Sequence, residues 1–288
     1  MKGIILAGGK GTRLYPSTQA ITKHLFPIYN KPMIYYPLSV LMLAGITEIL
    51  IITTKDTQQN FINLLGNGSL LGLSLHYEVQ DTPNGIPEAF RIAENFIGQD
   101  NVTLILGDNL FYGNTFVSQT IIPHINKATN VAFSYYVSDP YRYGIVEQDK
   151  NGRILSLEEK PNNPKSNYAL TGLYIFTNDV IKIAKQLVPS QRGELEILDI
   201  LNEYVKENKL LIQPIGRGVA WFDTGTNASL LAASNFIEAI ETRQGLQVAC
   251  LEEIAYLKKY ITKEQLQKLA IQQKNSEYGQ YLLNRVLD

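Results

Sequence analysis

The glycine-rich stretch LAGGKGTRLYPSTQAITK, residues 6–23, constrains this chain more than any other part of the sequence. It follows KGIIL, a short apolar run rich in branched residues that is typical of a buried strand. Its glycines allow the backbone to turn sharply and to expose its N–H groups, which is how loops bind phosphate. These glycines are Gly8, Gly9 and Gly11. Arg13 and Lys23 add two cations that a turn alone does not need, so the stretch predicts a polyphosphate site.

Two common phosphate-binding loops do not match this stretch. A dinucleotide fingerprint, G-x-G-x-x-G, would need a third glycine where the chain has Leu14, and an acidic residue about 20 positions on, where it has Ile28. A P-loop closes with Gly-Lys-Ser/Thr, whereas Gly11 is followed by Thr12 and Arg13. The sequence therefore disfavours nicotinamide redox chemistry and ATPase chemistry, and a purely structural turn remains the alternative.

The totals of the sequence exclude several classes of protein. With 288 residues the chain can bury a large core. Its formal net charge of −1 argues against nucleic acid or an anionic membrane as a partner, because both select for basic surfaces. Cys250 is the only cysteine, so no intrachain disulfide can form and a reducing compartment is expected. The N-terminus lacks a signal-peptide pattern and the longest apolar stretch is too short to span a bilayer, so we expect a soluble, cytoplasmic protein.

Strand and helix patterns alternate through the first half of the chain, which predicts an α/β fold with a doubly wound, mostly parallel sheet. The middle is richer in strands, with a hairpin turn at Asn151-Gly152, and helices return afterwards. Pro32 is placed to start a helix that ends before Gly45, and Thr226 is placed to cap a long helix. The predicted units are a main domain (1–246) with a nucleotide half (about 1–130) and a sugar-phosphate half (about 131–226), and a C-terminal helical appendage (247–288).

Two aspartates follow predicted strands and can be paired. Residues 102–106 form a continuous apolar strand that delivers Asp108 near its carboxyl end, where ligands bind in open α/β sheets. Asp223 ends a short extended segment that reads AWFD. Two carboxylates with substrate phosphates form a typical Mg²⁺ site, because this ion keeps waters and is rarely held by protein alone. A strand-end turn or a helix cap is the alternative for each aspartate.

Other polar residues suit a sugar phosphate and a base. Glu159 can hydrogen-bond two sugar hydroxyls, while Lys160 and Arg192 suit a phosphate monoester. Gln80 ends a predicted strand, where its amide can pair with O4 and N3–H of a pyrimidine, and Gly85 allows the backbone to meet the ring. Ordinary solvated strand ends are the alternative for these side chains.

Several motifs together resemble those of the sugar-nucleotide pyrophosphorylases, and the likeness runs nearly from end to end. They are GGKGTRLYP followed by Lys23 and FPIYNKPMIYYPL, then LGDNLFYG, EEKP, YALTGLYIF, RGELEILD and WFDTGT. The resemblance implies a Rossmann-like nucleotidyltransferase fold with a β-rich sugar-binding part. The chain departs from the family pattern at Pro87-Glu88, where Ala-Gln is usual, at Lys10, where Ser is commoner, and at Asn114, where His is frequent.

The resemblance also implies a role for each matching residue. Arg13 and Lys23 are implied to be catalytic, and Asp108 and Asp223 to bind Mg²⁺. The implied nucleotide-binding residues are Leu6, Gly8, Gly9, Gly11, Thr12, Gln80, Pro83 and Gly85. The implied sugar-phosphate residues are Tyr143, Gly144, Glu159, Lys160, Thr171, Gly172 and Arg192. An allosteric nucleotide site is implied near the helical tail, with Tyr112, Gly113 and Arg217.

The implied reaction joins dTTP and glucose 1-phosphate into dTDP-glucose, for deoxysugar synthesis, and releases pyrophosphate. A phosphate monoester has a second pKa of about 6, so the sugar phosphate is already anionic and its direct in-line attack on the α-phosphorus needs no general base. The alternatives are the same reaction with UTP, a non-catalytic sugar-nucleotide sensor and, more remotely, an oxidoreductase. The resemblance further implies a homotetramer with end-product feedback.

Overall fold

The computed structural model describes residues 1–286, which form 13 β-strands and 11 α-helices. The strands are β1 (Lys2–Leu6), β2 (Pro27–Ile28), β3 (Lys31–Pro32), β4 (Glu48–Thr53), β5 (Ser74–Val79), β6 (Val102–Leu106), β7 (Asn109–Tyr112), β8 (Asn130–Tyr136), β9 (Gly144–Gln148), β10 (Ile154–Glu159), β11 (Tyr168–Phe176), β12 (Leu210–Pro214) and β13 (Ala220–Asp223). The α-helices are α1 (Tyr35–Leu43), α2 (Gln58–Leu65), α3 (Glu88–Ile92), α4 (Glu94–Ile97), α5 (Ile122–Lys127), α6 (Val180–Gln186), α7 (Ile197–Lys206), α8 (Asn227–Gln244), α9 (Leu251–Leu257), α10 (Lys263–Gln272) and α11 (Glu277–Tyr281). Short 3₁₀ turns include Thr12–Leu14, Lys23–Leu25 and Pro140–Arg142, and π-helical segments cover Phe116–Ile121 and Leu282–Val286.

A nine-stranded sheet forms the centre of the molecule. Strand β1 pairs in parallel with β4 and with β6, and β4 pairs in parallel with β5. Strand β11 runs antiparallel to β6 and also pairs with β8 and β9. Strand β12 lies parallel to β8, and the hairpin β9–β10 completes the sheet. The predicted α/β fold with a large, mostly parallel central sheet is confirmed, and the antiparallel strands lie in the part predicted to be β-rich.

Helices cover both faces of this sheet, which explains why the inner strands read as unbroken apolar runs. Ile4 and Ile5 are adjacent in β1 and point to opposite faces, because side chains alternate along a strand. Ile4 belongs to a buried cluster that includes Phe90 of α3, and Ile5 to one that includes Leu38 of α1 and Phe61 of α2. The doubly wound arrangement thus follows from apolar residues on two sides of each inner strand.

The C-terminal helices pack on the same core as the sheet. Leu251 and Ile254 of α9 belong to the cluster that contains Leu38 of α1. No helix within residues 1–286 has the length and hydropathy that a membrane span requires. The division of the chain near residue 246 stays a prediction, and residues 287 and 288 of the predicted appendage lie outside the described residues.

The structure corrects one predicted helix start and confirms one predicted cap. Pro32 lies in β3, and the helix begins at Tyr35, with Pro37 in the first turn, where a missing N–H costs no intrahelical bond. Thr226 does cap α8, since its hydroxyl oxygen accepts a hydrogen bond from the Ser229 N–H at 3.1 Å. Helices α2 and α5 were not predicted, because each is short and α2 buries only two apolar side chains.

Candidate active site

The glycine-rich loop lies where the carboxyl ends of parallel strands meet. The Gly107 N–H, just after β6, donates to the Leu6 carbonyl at the end of β1 at 2.9 Å. Gly11 has a φ of +62°, in the left-handed region that glycine tolerates best, and it precedes the turn that carries Arg13. The loop therefore leaves the sheet at its ligand-binding edge, as in other open α/β sheets.

One cleft of about 510 Å³ brings together predicted residues from both halves of the chain. The predicted residues that line it are Arg13, Gly85, Asp108, Tyr143, Gly144, Glu159, Lys160, Thr171, Gly172, Arg192 and Asp223. Other predicted residues do not line this cleft: Leu6, Gly8, Gly9, Gly11, Thr12, Lys23, Gln80 and Pro83. Most of this second group belongs to the glycine-rich loop and its surroundings, where Lys23 reaches the cleft residue Asp108 through an ion pair.

A small two-stranded sheet carries both predicted metal-binding aspartates. Strands β7 and β13 pair antiparallel, with Asn109 opposite Asp223. Asp108 immediately precedes β7, and its carbonyl oxygen accepts hydrogen bonds from the Thr224 N–H at 3.1 Å and the Thr224 hydroxyl at 2.7 Å. Two residues distant in sequence are therefore neighbours, which is the arrangement that the sequence predicted for them.

The charges around the two carboxylates differ. Burial would raise the pKa of Asp108, but the charge of Lys23, together with His24 and the hydrogen bonds from Lys23 and Asn109, outweighs it and lowers that pKa from 3.8 to about 2. Burial raises the pKa of Asp223, and the negative charge of Asp108 raises it further. Arg142 partly offsets this, with its Nη2 atom 3.8 Å from Asp223 Oδ2. The pair is therefore an anionic site whose two members repel each other and attract cations.

This pair fits a divalent cation that shares its ligands with a substrate. Within residues 1–286 no group of three or more His, Cys, Asp or Glu side chains forms a complete metal site. Burial and then the charge of Asp108 raise the pKa of Asp223, and a bound cation would relieve the repulsion between the two carboxylates. A hard ion held by two carboxylates takes its remaining ligands from phosphate and water.

His24 is a buried residue that packs against the backbone beside the glycine-rich loop. It is buried, and its burial, followed by the charge of Lys23, lowers its pKa from 6.5 to about 3. Its Nδ1 lies 3.0 Å from the Thr22 hydroxyl oxygen. A Cβ atom on Gly107 would lie 2.9 Å from His24 Cδ2, so the neutral ring packs directly against the backbone that precedes Asp108.

Sequence reasoning did not assign a role to Asn109, which lines the cleft. Asn109 Nδ2 donates to Asp108 Oδ1 at 3.1 Å, and Asn109 Oδ1 accepts from the Gly172 N–H at 3.0 Å. The same oxygen accepts from the Trp221 indole N–H at 2.7 Å. The Trp221 ring in turn packs on Tyr143, with ring centroids 5.3 Å apart. A buried amide thus links one carboxylate to the predicted sugar side.

The predicted sugar-phosphate residues form a charged cluster on the other side of the cleft. Glu159 Oε1 lies 2.9 Å from Lys160 Nζ and 3.3 Å from Arg192 Nη1. A Cβ atom on Gly144 would lie 3.2 Å from Glu159 Oε2, so Gly144 leaves this carboxylate accessible. An acceptor for hydroxyls is therefore flanked by two cations, which suits a sugar that carries a phosphate. Thr171 differs, since it is buried and its hydroxyl donates to the Phe133 carbonyl at 3.0 Å.

Gly85 connects the nucleotide side of the cleft to its sugar side. It forms an isolated parallel bridge with Leu195, and the Leu195 N–H donates to the Asn84 carbonyl at 2.7 Å. Its φ is +105°, and a Cβ atom there would lie 2.0 Å from the Leu195 carbonyl oxygen. Only glycine allows this contact, so the position requires it for backbone packing whatever the backbone does for a base.

A second cleft, of about 490 Å³, lies between the π-helical segment and the start of the helical tail. Tyr112, Gly113 and Asn114 line it, together with Leu246 and with tail residues such as Glu253. Arg217, which was predicted to share a site with Tyr112 and Gly113, is exposed and does not line this cleft. Two of the three residues predicted for an allosteric site therefore come together.

Comparison with known sequences gives consistent matches over the whole chain. The model of the family described as Nucleotidyl transferase matches residues 2–240. The glucose-1-phosphate thymidylyltransferase of Neisseria meningitidis serogroup A is 51% identical over 283 residues, which are 98% of each chain. The glucose-1-phosphate thymidylyltransferase of Mycobacterium tuberculosis is 49% identical over 284 residues, again 98% of each chain.

Solved structures agree with these sequence matches. A Bacillus anthracis chain, assigned as a glucose-1-phosphate thymidylyltransferase and crystallised with sucrose, superposes with a TM-score of 0.75 at 40% identity. The match covers 82% of the present chain and 94% of that one. A UDP-glucose pyrophosphorylase in complex with UDP-glucose shares the fold, with a TM-score of 0.74 at 24% identity over 83% of this chain and 98% of that one.

Proposed function

Because this chain belongs to the nucleotidyl transferase family, we propose that it acts as a glucose-1-phosphate thymidylyltransferase. It joins dTTP and α-D-glucose 1-phosphate into dTDP-glucose and releases pyrophosphate. The observation that carries the proposal is the pairing of Lys23 with Asp108 next to Asp223, in a cleft that also holds Glu159 and Arg192. One side of this cleft suits a triphosphate and the other suits a sugar phosphate.

The main task of the site is to hold two anions that repel each other in line for reaction. The sugar phosphate carries its own anionic oxygen at neutral pH, so no side chain has to remove a proton. Lys23 is partly buried, where its charge is screened less than in water, and it bridges the two substrates at the reacting phosphate. Arg13, exposed at the edge of the glycine-rich loop, holds the departing pyrophosphate.

Asp108 and Asp223 are the residues that would hold Mg²⁺, which when bound would neutralise charge on the α-phosphate. Lys23 favours the ionised form of Asp108, because its positive charge is the largest of the effects that lower the pKa of that carboxyl. Asn109 orients the Asp108 carboxylate through the bond to its Oδ1 atom. These side chains therefore prepare the carboxylates before any substrate arrives.

On the sugar side, Glu159 accepts hydrogen bonds from hexose hydroxyls while Lys160 and Arg192 bind the phosphate. Glu159 already pairs with both Lys160 and Arg192, so the substrate replaces ion pairs within the cluster by ion pairs with itself. Tyr143 and Gly144 form the adjoining wall of the cleft. The nucleotide half and the sugar-phosphate half thus each supply one substrate's binding groups.

A grid of nucleotides and sugar phosphates tests the proposed function. Pyrophosphate release is measured for dTTP, UTP, dCTP and ATP, each with glucose 1-phosphate or galactose 1-phosphate, in the presence of Mg²⁺. We expect the highest kcat/KM for dTTP with glucose 1-phosphate. A clear preference for UTP would contradict the thymidylyltransferase proposal, and an absence of turnover with every pair would favour a sugar-nucleotide sensor.

We also propose that the second cleft binds the dTDP-sugar end product of a deoxysugar pathway, such as dTDP-rhamnose. Binding of this end product would slow the enzyme. The cleft is lined by Tyr112 and by tail residues, and it is separate from the substrate cleft. We expect a dTDP-deoxysugar to inhibit even at saturating dTTP. Leu246→Glu, which adds a negative charge to this lining, should abolish the inhibition and leave the uninhibited rate within about twofold, because charge repels the diphosphate. Inhibition that saturating dTTP removes would contradict the second site.

We further propose that the protein assembles as a homotetramer. Large apolar side chains that an interface would cover are exposed on the single chain, among them Leu70, Leu231 and Leu257. Sedimentation velocity of the purified protein measures the assembly directly.

A further inference from the structure

The side-chain amide of Gln80 is held in one orientation by its neighbours. Gln80 follows β5 and is only 4% exposed. Its Nε2 atom donates to Glu88 Oε2 at 2.6 Å and to the Gly85 carbonyl at 3.3 Å. An amide nitrogen has two hydrogens, so both are used within the protein.

The chemistry of the partners fixes which end of the amide faces which way. A carboxylate can only accept hydrogen bonds, so the nitrogen of Gln80, and not its oxygen, must face Glu88. The other oxygen of Glu88 accepts from Asn84 Nδ2 at 2.8 Å, which holds the carboxylate itself. The amide oxygen of Gln80 points to the glycine-rich loop, since a Cβ atom on Gly8 would lie 2.9 Å from Gln80 Oε1.

We propose that Glu88 is a positioning residue that makes Gln80 present only a hydrogen-bond acceptor to the nucleotide base. This inference rests on the proposed function and extends it to base selection. Thymine and uracil offer an N3–H donor to such an acceptor, whereas N3 of cytosine is itself an acceptor. Donation from Gln80 to O4 of the base, which the sequence suggested, would require a nitrogen that Glu88 and Gly85 already occupy.

Discrimination against cytosine would come from the free-energy cost of placing two hydrogen-bond acceptors face to face in a buried site. Gln80 Oε1 facing N3 of cytosine would leave both groups unpaired, unless the amide turned over. Turning it over would place its oxygen against the Glu88 carboxylate, which is unfavourable for the same reason. Glu88 therefore acts on the base through Gln80 without lining the substrate cleft.

Glu88→Met tests the proposal because methionine has a similar length and no strong acceptor. Loss of one buried hydrogen bond predicts a KM for dTTP raised about 3–10-fold, with kcat within about twofold of the wild type. The ratio of kcat/KM for dTTP over dCTP should fall by about tenfold, because the amide is now free to turn. Equilibrium binding of dTTP, measured by calorimetry without sugar phosphate, should weaken by the same factor as KM.

Glu88→Gln is the conservative control. Its oxygen can still accept from Gln80, and its nitrogen can donate to Asn84 once that exposed amide turns. We expect this variant to keep the KM and the dTTP to dCTP ratio within about twofold, since the acceptor facing Gln80 is retained. Glu88→Ala repeats the test with a smaller side chain if Glu88→Met does not fold.

A double-mutant cycle shows whether Glu88 works through Gln80. In a Gln80→Met background, Glu88→Met should change neither KM nor the nucleotide ratio further. An equal effect in both backgrounds, or an unchanged dTTP to dCTP ratio in Glu88→Met, would overturn the inference. The proposed function fails separately, if the wild-type enzyme does not turn over dTTP.

Discussion

Replacing Lys23 with alanine should lower kcat for dTDP-glucose formation by about 10²–10³-fold, as removal of a preorganised charge at a reacting phosphate typically does. The side chain is 13% exposed and paired with Asp108, so its charge acts in a place with little water. The acidic limb of the pH–rate profile should also shift to higher pH in this variant. Without Lys23, burial raises the pKa of Asp108, so this carboxylate becomes protonated at a higher pH than in the wild type. Turnover is measured by pyrophosphate release from pH 5 to 9.

Two controls separate this effect from general damage. Lys206→Ala removes an exposed lysine that pairs with nearby Glu203, and it should leave kcat unchanged. Lys23→Arg keeps the charge and should retain more activity than Lys23→Ala. A Lys23→Ala enzyme that works within about tenfold of the wild type would show that this cation does not stabilise the transition state.

Replacing Asp223 with asparagine should also reduce turnover by about 10²–10³-fold at a fixed Mg²⁺ concentration, because one of two carboxylates that attract the ion is lost. The substitution keeps the size of the side chain and its place opposite Asn109 in the β7–β13 pair. It also removes the repulsion between the two carboxylates, so the protein itself should be no less stable. Part of the activity should return at higher Mg²⁺.

A direct measure of ion binding completes this test. Electron paramagnetic resonance with Mn²⁺ and dTTP should report weaker binding of the ion in Asp223→Asn than in the wild type. Asp149→Asn, in the distant β9–β10 hairpin turn, serves as the matched control and should bind Mn²⁺ normally. Unchanged Mn²⁺ affinity and turnover within about tenfold in Asp223→Asn would remove Asp223 from the proposed metal site.

Local patterns in the sequence were sufficient to predict several strands that build the site, although β7 was not among them. Strand β6 was predicted with its observed bounds, because five apolar or β-branched residues in a row suit a strand buried on both faces. The hairpin at Asn151-Gly152 was also predicted, and Gly152 has the positive φ, +81°, that such a turn uses. Since ligands gather at the carboxyl ends of such strands, Asp108 could be chosen before its surroundings were known.

Contacts between distant segments could not be predicted in the same way. Asn109 receives hydrogen bonds from β11 and from β13, so its position depends on the finished sheet rather than on its neighbours in sequence. Arg142 reaches Asp223 from a 3₁₀ turn that no periodicity marks. The orientation of the Gln80 amide depends in turn on Glu88, one helix further along the chain. In each case the partner is chosen by tertiary packing.

The antiparallel pairing of β7 with β13 determines where the two acidic residues lie relative to each other. Asn109 pairs with Asp223 and Leu110 with Phe222, and Asp108 directly precedes Asn109, so the register of the ladder places the two acidic residues near each other. A slip of one rung would turn every side chain of β13 to the opposite face, since side chains alternate along a strand. A deletion in β13 that moved Asp223 by one position along the ladder would thus turn its carboxylate to the face opposite the one it now occupies. The spacing of the two acidic residues is therefore set by backbone hydrogen bonds. Neighbouring side chains can be substituted without changing this spacing.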